Sequence, residues 1–123
     1  MTWILTTVCI LLTSLSINAK ELSPEELKYK AYIYYKNGVN EYNKENYEQA
    51  LIQLQRSLQY RSLTKTRKLV EDIRKKGISF YENGTALINF DKELATKYLQ
   101  KALPLIDPKD KKTVEHINSL LKP

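Results

Sequence analysis

The chain has 123 residues, a formal net charge of +6, one histidine, one cysteine and three glycines. A chain this short builds one small domain with a modest core. So sparse a set of nucleophilic and metal-ligating side chains argues against disulfides, thiol catalysis, metal centres and glycine-rich phosphate loops, so no enzyme, cofactor or metal is expected.

The first nineteen residues stand apart. Trp3 to Leu15 carries no charge, Ser16-Ile17-Asn18-Ala19 follows, and Lys20-Glu21 opens a charged stretch. This is the layout of a secretory signal peptide, with an apolar core shorter than the roughly 20 residues a membrane span needs and a cleavage site after Ala19. An exported domain, periplasmic or secreted, over 20–123 is therefore expected. No basic residue lies near Met1, which leaves an uncleaved N-terminal membrane anchor as the alternative. Cys9 follows Thr6-Thr7-Val8, a poor match to a lipoprotein signal.

Ser23-Pro24-Glu25-Glu26 carries a capping box with proline at the first helical position, so a helix begins at Pro24. Leu27, Ala31, Tyr34, Gly38 and Tyr42 recur at three- and four-residue steps and form its inward stripe, and the helix ends near Asn43 to Glu45. Asn46 is placed to cap a second helix over Tyr47 to Tyr60, with Ala50, Leu51, Leu54 and Leu58 on one face. Leu69, Val70, Ile73, Gly77, Phe80, Gly84, Leu87 and Ile88 then run unbroken. This predicts one long helix from about Lys65 to Asn89, with Gly77 marking close packing or a kink. Asp91 caps the next helix, which Pro104 and Pro108 end. Asp107-Pro108-Lys109-Asp110 restarts a closing helix over about 108–121, with Val114, Ile117, Leu120 and Leu121 on its apolar edge. No segment reads as strand.

The chain repeats itself. Tyr34-Tyr35-Lys36-Asn37-Gly38 answers to Phe80-Tyr81-Glu82-Asn83-Gly84 at an offset of 46 residues. Asn46, Glu48, Ala50, Leu54, Gln55, Arg56, Ser57 and Leu58 answer to Asp91, Glu93, Ala95, Leu99, Gln100, Lys101, Ala102 and Leu103 at an offset of 45. Register kept on both sides of a one-residue deletion points to a duplicated helical hairpin, with Gly38 facing Ala50 and Gly84 facing Ala95 and a turn one residue shorter in the second unit.

An aromatic four residues before a glycine and an alanine twelve after it, here Tyr34, Gly38 and Ala50, with Tyr47, Leu54 and Leu58 beyond, resemble the tetratricopeptide repeat. The first unit fits it better than the second, where Lys92 replaces the aromatic that opens the second helix. The resemblance covers about Ala31 to Asp107. It implies an all-α fold of tandem antiparallel hairpins: a short right-handed solenoid with repeats over about 24–61 and 64–107 and a capping helix at the end. It further implies a protein-binding adaptor whose concave face takes a partner segment. By the family's register that face holds Tyr32, Tyr35, Val39, Tyr42 and Asn43 in the first unit and Ile78, Tyr81, Thr85, Ile88 and Asn89 in the second. The chaperone-tail clamp of some relatives needs lysine and asparagine where Tyr35 and Val39 stand, so that device is not expected.

Nine tyrosines suit a recognition groove, since tyrosine gives amphipathic contact area at little rotamer cost. The plainer reading is that they fill gaps between helices, for Tyr34 and Tyr42 also fit the core stripe. Arg61, Lys65, Arg67, Lys68, Arg74, Lys75 and Lys76 crowd the junction between the units. They offer an alternative function, peripheral attachment to an anionic envelope surface or an acidic polymer. The plainer reading there is a solvated face stitched by Glu71 with Lys75 and Asp72 with Lys76. His116, beside Glu115, is expected at the surface in no catalytic motif. Asn83-Gly84-Thr85 fits a glycosylation sequon but falls inside a helix on its packing face. Nucleic acid is not an expected partner; self-association of the open repeat ends into a homodimer is a further alternative.

Overall fold

The structure, a computed structural model, describes residues 21–123. The proposed leader over 1–19 lies outside the described residues. Those residues form an all-helical chain: α1 (Pro24–Asn43), α2 (Tyr47–Tyr60), α3 (Thr64–Leu87), α4 (Lys92–Ala102), a 3₁₀ turn (Leu103–Leu105) and α5 (Lys111–Leu121). Ser23 caps α1, its hydroxyl accepting the Glu26 amide, with Pro24 at the first position and two glutamates in the first turn to meet the helix dipole. Asp91 caps α4 through the Leu94 amide and Asp110 caps α5 through the Thr113 amide.

The tightest helix pairs are α1 with α2 and α3 with α4. Their crossings are built alike. A Cβ added to Gly38 would lie 2.6 Å from Leu54 Cδ2 and 3.4 Å from the Ala50 carbonyl oxygen; one added to Gly84 would lie 2.7 Å from Leu99 Cδ2 and 3.2 Å from the Ala95 carbonyl oxygen. In each hairpin the leucine fills the space the glycine leaves, and Leu54 and Leu99 are wholly buried. Burying such a side chain contributes about 1.5–3 kcal/mol. One cluster joins Ala50, Leu51, Leu54, Ile73 and Leu105 across the hairpins; a second joins Leu99, Ala102, Ile106 and Ile117 under α5.

Helix α3 runs through Gly77 without a break, and the 3₁₀ corner presses on it there. A Cβ at Gly77 would meet Leu105 Cβ at 2.7 Å and the Leu105 carbonyl carbon at 3.1 Å. One turn earlier, the Arg74 guanidinium donates to the carbonyl oxygens of Leu105 and Ile106, both at 3.0 Å. Those bonds satisfy the open carbonyls that follow α4.

Several expectations need correction. The α1–α2 connection ends α1 in a Schellman motif, with the Asn46 amide bonded to the Glu41 carbonyl and the Glu45 amide to the Tyr42 carbonyl. Glu45 takes the left-handed conformation this needs, at φ 63°. Asn46 holds the N-cap position of α2, yet its side-chain amide donates to Glu41 at 3.0 Å and caps nothing. In the second hairpin the missing residue comes out of the helix rather than the turn: α3 stops at Leu87, short of Asn89, and Ile88 to Asp91 connect it to α4 with no left-handed residue. The closing helix starts at Lys111, because Asp107 to Lys109 form a turn in which the Lys109 amide bonds the Asp107 carboxylate. On α2 the buried residue after Leu54 is Ser57, while Leu58 is half-buried.

Ser57 ties three helices together. Its hydroxyl donates to the Ala31 carbonyl of α1 at 2.7 Å and pairs with the Thr66 hydroxyl of α3 at 3.1 Å. Both hydroxyls are fully buried, and among the described residues no buried side-chain polar atom lacks a partner. A buried hydroxyl is tolerated only on such terms.

Candidate functional site

Exposed aromatic surface concentrates on the first half of α1. Helical spacing puts Glu25, Lys28, Tyr29, Tyr32 and Tyr35 on one side of it, and Leu63, Thr64 and Lys65 at the start of α3 face them across a cleft of ≈ 640 Å³. Tyr29 is 65% and Tyr32 46% exposed, whereas Tyr35 is half-buried and packs on the first core cluster. The Tyr32 and Tyr35 rings lie 6.4 Å apart, and Lys36 extends over Tyr32 at 5.8 Å. Leu63 holds the N-cap position of α3 and has no side-chain oxygen to give the first-turn amides. The cleft thus joins an apolar aromatic wall, a helix start and two lysines, with Glu25 the acid among its lining residues. It can hold an apolar side chain and favours negative charge beside it.

The remaining residues of the expected concave face separate from this cleft. Tyr42 donates a hydrogen bond to the Asp72 carboxylate and meets Tyr47 edge-on at 5.5 Å. Lys76 lies over both rings, 5.7 Å from Tyr42 and 5.4 Å from Tyr47. The bond to Asp72 raises the Tyr42 phenol above its ordinary value, helped by burial and by the Asp72 charge and opposed by Lys76. Lys76 is raised in turn by Tyr42 and Tyr47. Val39 is half-buried and Asn43 exposed at the helix end. In the second unit Tyr81 and Ile88 pack into the cluster under α5, so the closing helix covers their part of the expected face. Asn89 is exposed in the connection beyond them, Ile78 is exposed on α3, and Thr85 bonds back to the Glu82 carbonyl. His116 is exposed as expected but has a partner: its Nδ1 and the Tyr81 hydroxyl share a hydrogen bond of 2.6 Å, and the rings meet at 79°.

The basic junction also divides. Arg74 and Lys76 are turned to the structural contacts described above, and Arg67 donates to the Ser62 and Thr64 hydroxyls, both at 3.2 Å. The expected pairs Glu71–Lys75 and Asp72–Lys76 do not form; the ion pair found among the described residues is Glu93–Lys97, at 3.8 Å. Arg61, Lys65, Lys68 and Lys75 remain as exposed cations. A second cleft of ≈ 570 Å³ lies where the hairpins meet, with Tyr47 and Phe80 in its wall and Glu45, Glu48, Lys97 and Lys101 around it. Its charges are of both signs and converge on no point.

Tyr29 and Leu63 were missed at the level of sequence. The signal for Tyr29 was present, since it stands three residues before Tyr32 on the same helical face, whereas Leu63 lies across a fold contact that spacing does not reveal. Among the described residues no helix is long and apolar enough to cross a membrane and no acidic, histidine or cysteine cluster could hold a metal ion. Compared with protein-family models, with curated proteins and with solved structures, the chain finds no match.

Proposed function

We propose that this chain is a non-catalytic protein-interaction module of the tetratricopeptide type, an adaptor that holds a partner segment in the cleft between α1 and the start of α3. The observation that carries the reading is the pair of exposed tyrosines, Tyr29 and Tyr32, standing over that cleft with Lys28 and Lys65 beside them. Aromatic rings of this kind are the anchors protein interfaces use. The repeat assignment is supported by the shared Gly-Ala-Leu crossing of the two hairpins and by the closing helix, which supplies the cap a short repeat array requires. The fitting partner is a short segment with an apolar or aromatic side chain flanked by acidic residues. Its place of work is an exported compartment, on the strength of the leader-like first nineteen residues.

The test is peptide selection. Displayed short peptides would be selected on the full chain and then measured on the double variant Tyr29→Ser/Tyr32→Ser, whose exposed positions leave the helices intact. Recovered peptides should be apolar with acidic neighbours, and the variant should weaken them at least about tenfold, roughly 1.4 kcal/mol. Recovery of no binder, or of peptides that hold the variant equally well, would refute the cleft.

A further inference from the structure

Phe90 is the most exposed large apolar side chain among the described residues, at 86%. It stands in the connection between α3 and α4, with Leu94, 40% exposed, in the first turn beyond it. Neither core cluster includes it. The acids Asp91 and Glu93 flank it, both exposed, with Lys92 between them. An apolar knob bounded by carboxylates is the kind of segment the tyrosine cleft fits.

The chain cannot satisfy itself. The cleft includes the first residues of α3 and Phe90 follows its last, so the two sit at opposite ends of a 24-residue helix. At 1.5 Å per residue that helix is about 36 Å long. Charge follows the same axis. Lys28, Lys65, Arg61 and Lys68 stand at the cleft end, and Asp91 and Glu93 at the corner, where Asp91 caps α4 and Glu93 lies 3.8 Å from Lys97. Glu25 in the cleft and Lys92 at the corner form an opposite pair of the other sense. Leu63 gives the first-turn amides of α3 no side-chain acceptor.

We infer that the tyrosine cleft takes the Phe90 corner of a second copy of this chain, joining copies head to tail. This rests on the cleft being the binding surface and adds the identity of one partner. The contact is heterologous, because cleft and knob are different surfaces, so every joined pair keeps one free cleft and one free knob. Assembly therefore continues past the dimer unless it closes into a ring.

Sedimentation velocity of the full chain over a concentration series, with Phe90→Ser and Tyr29→Ser/Tyr32→Ser as variants, tests this. Circular dichroism would verify that both stay helical. The wild type should gain mass beyond two chains as concentration rises, and moderate salt should reduce the gain. Each variant alone should stay monomeric. Mixed in equal amounts they should form one-to-one dimers and nothing larger, since one supplies the only intact cleft and the other the only intact knob. A monomeric wild type, variants that associate as the wild type does, or a mixture that stays monomeric would each overturn the inference. If the wild type is monomeric while peptide binding still depends on Tyr29 and Tyr32, the self-contact falls and the cleft stands; if neither assay responds to those tyrosines, both fall.

Discussion

Ser57 in the first hairpin and Ala102 in the second occupy corresponding places, both buried, and they serve different neighbours. Ser57 bonds α1 and α3 through hydroxyls and a carbonyl, and the outer aromatic face of α1 stays bare. Ala102 packs among Leu99, Ile106 and Ile117, and of the α3 positions that match Tyr29, Tyr32 and Tyr35, Tyr81 meets α5 while Lys75 and Ile78 stay exposed. Tyr35 and Tyr81 are both half-buried, yet they have different neighbours: one borders a cleft and the other bonds His116 of α5. Two similarly built hairpins keep a common crossing at Gly38 and Gly84, while the closing helix packs on the Tyr81–Ile88 end of one of them and the α1 cleft has no such cover.

Substitutions measure how far the two hairpins differ. The largest effect is expected at the contact the first hairpin lacks. Gly77→Ala drives a Cβ against Leu105 Cβ, which is fixed to the backbone and cannot swing aside, and should cost about 2–3 kcal/mol even after the roughly 1 kcal/mol gained in helix propensity, read from the urea midpoint. Gly38→Ala and Gly84→Ala press instead on leucine side chains, so each should cost less, and equal costs within about 0.5 kcal/mol would verify that the two crossings are equivalent.

Exchanging the buried residues comes next. Ser57→Ala strands the Thr66 hydroxyl, and Ala102→Ser buries a hydroxyl among apolar groups. Each should lower stability by about 1–2 kcal/mol, although both are small-for-small changes. A neutral Ala102→Ser would mean that the two sites are less specialised than their neighbours suggest.

Smaller effects lie at the turns and at high pH. Glu45→Gly relieves a left-handed glutamate and should stabilise by about 0.5 kcal/mol, while Phe90→Gly, at the corresponding place with no left-handed residue, should not. Tyr42 and Lys76 both hold their protons more tightly when folded, so the stability this contributes is whole below about pH 10 and is lost as pH rises through the raised values. Tyr42→Phe should flatten that alkaline fall, as followed by denaturation midpoints on either side of it.

Periodicity made the helices legible: α2 runs from Tyr47 to Tyr60 as its stripe predicts, and the doubled Gly-to-Ala spacing marked both crossings. It misplaced Ser57 because spacing weighs apolarity and not the hydrogen bonds that let a hydroxyl be buried. The roles of Arg74, Lys76 and His116 were not legible. Their partners lie about thirty residues or more away in sequence, as Arg74 with Leu105 and His116 with Tyr81 do, and a run of like charges looks the same whether it is solvated or folded inward. Of the expected binding face, the Tyr32 and Tyr35 portion coincides with a cleft. Tyr81 and Ile88 do not, because the repeat register carries no information about where a closing helix will lie.

Whether the α1 cleft, and not the Tyr81–Ile88 surface under α5, takes a partner is read by backbone-amide NMR of the full chain titrated with a selected peptide. Shifts gathered at Tyr29–Tyr35 and Leu63–Lys65, with Tyr81, Ile88 and His116 unmoved, are what this account predicts. Shifts centred on Tyr81, Ile88 and α5 would contradict it, since the peptide would then be displacing the closing helix from Tyr81 and Ile88.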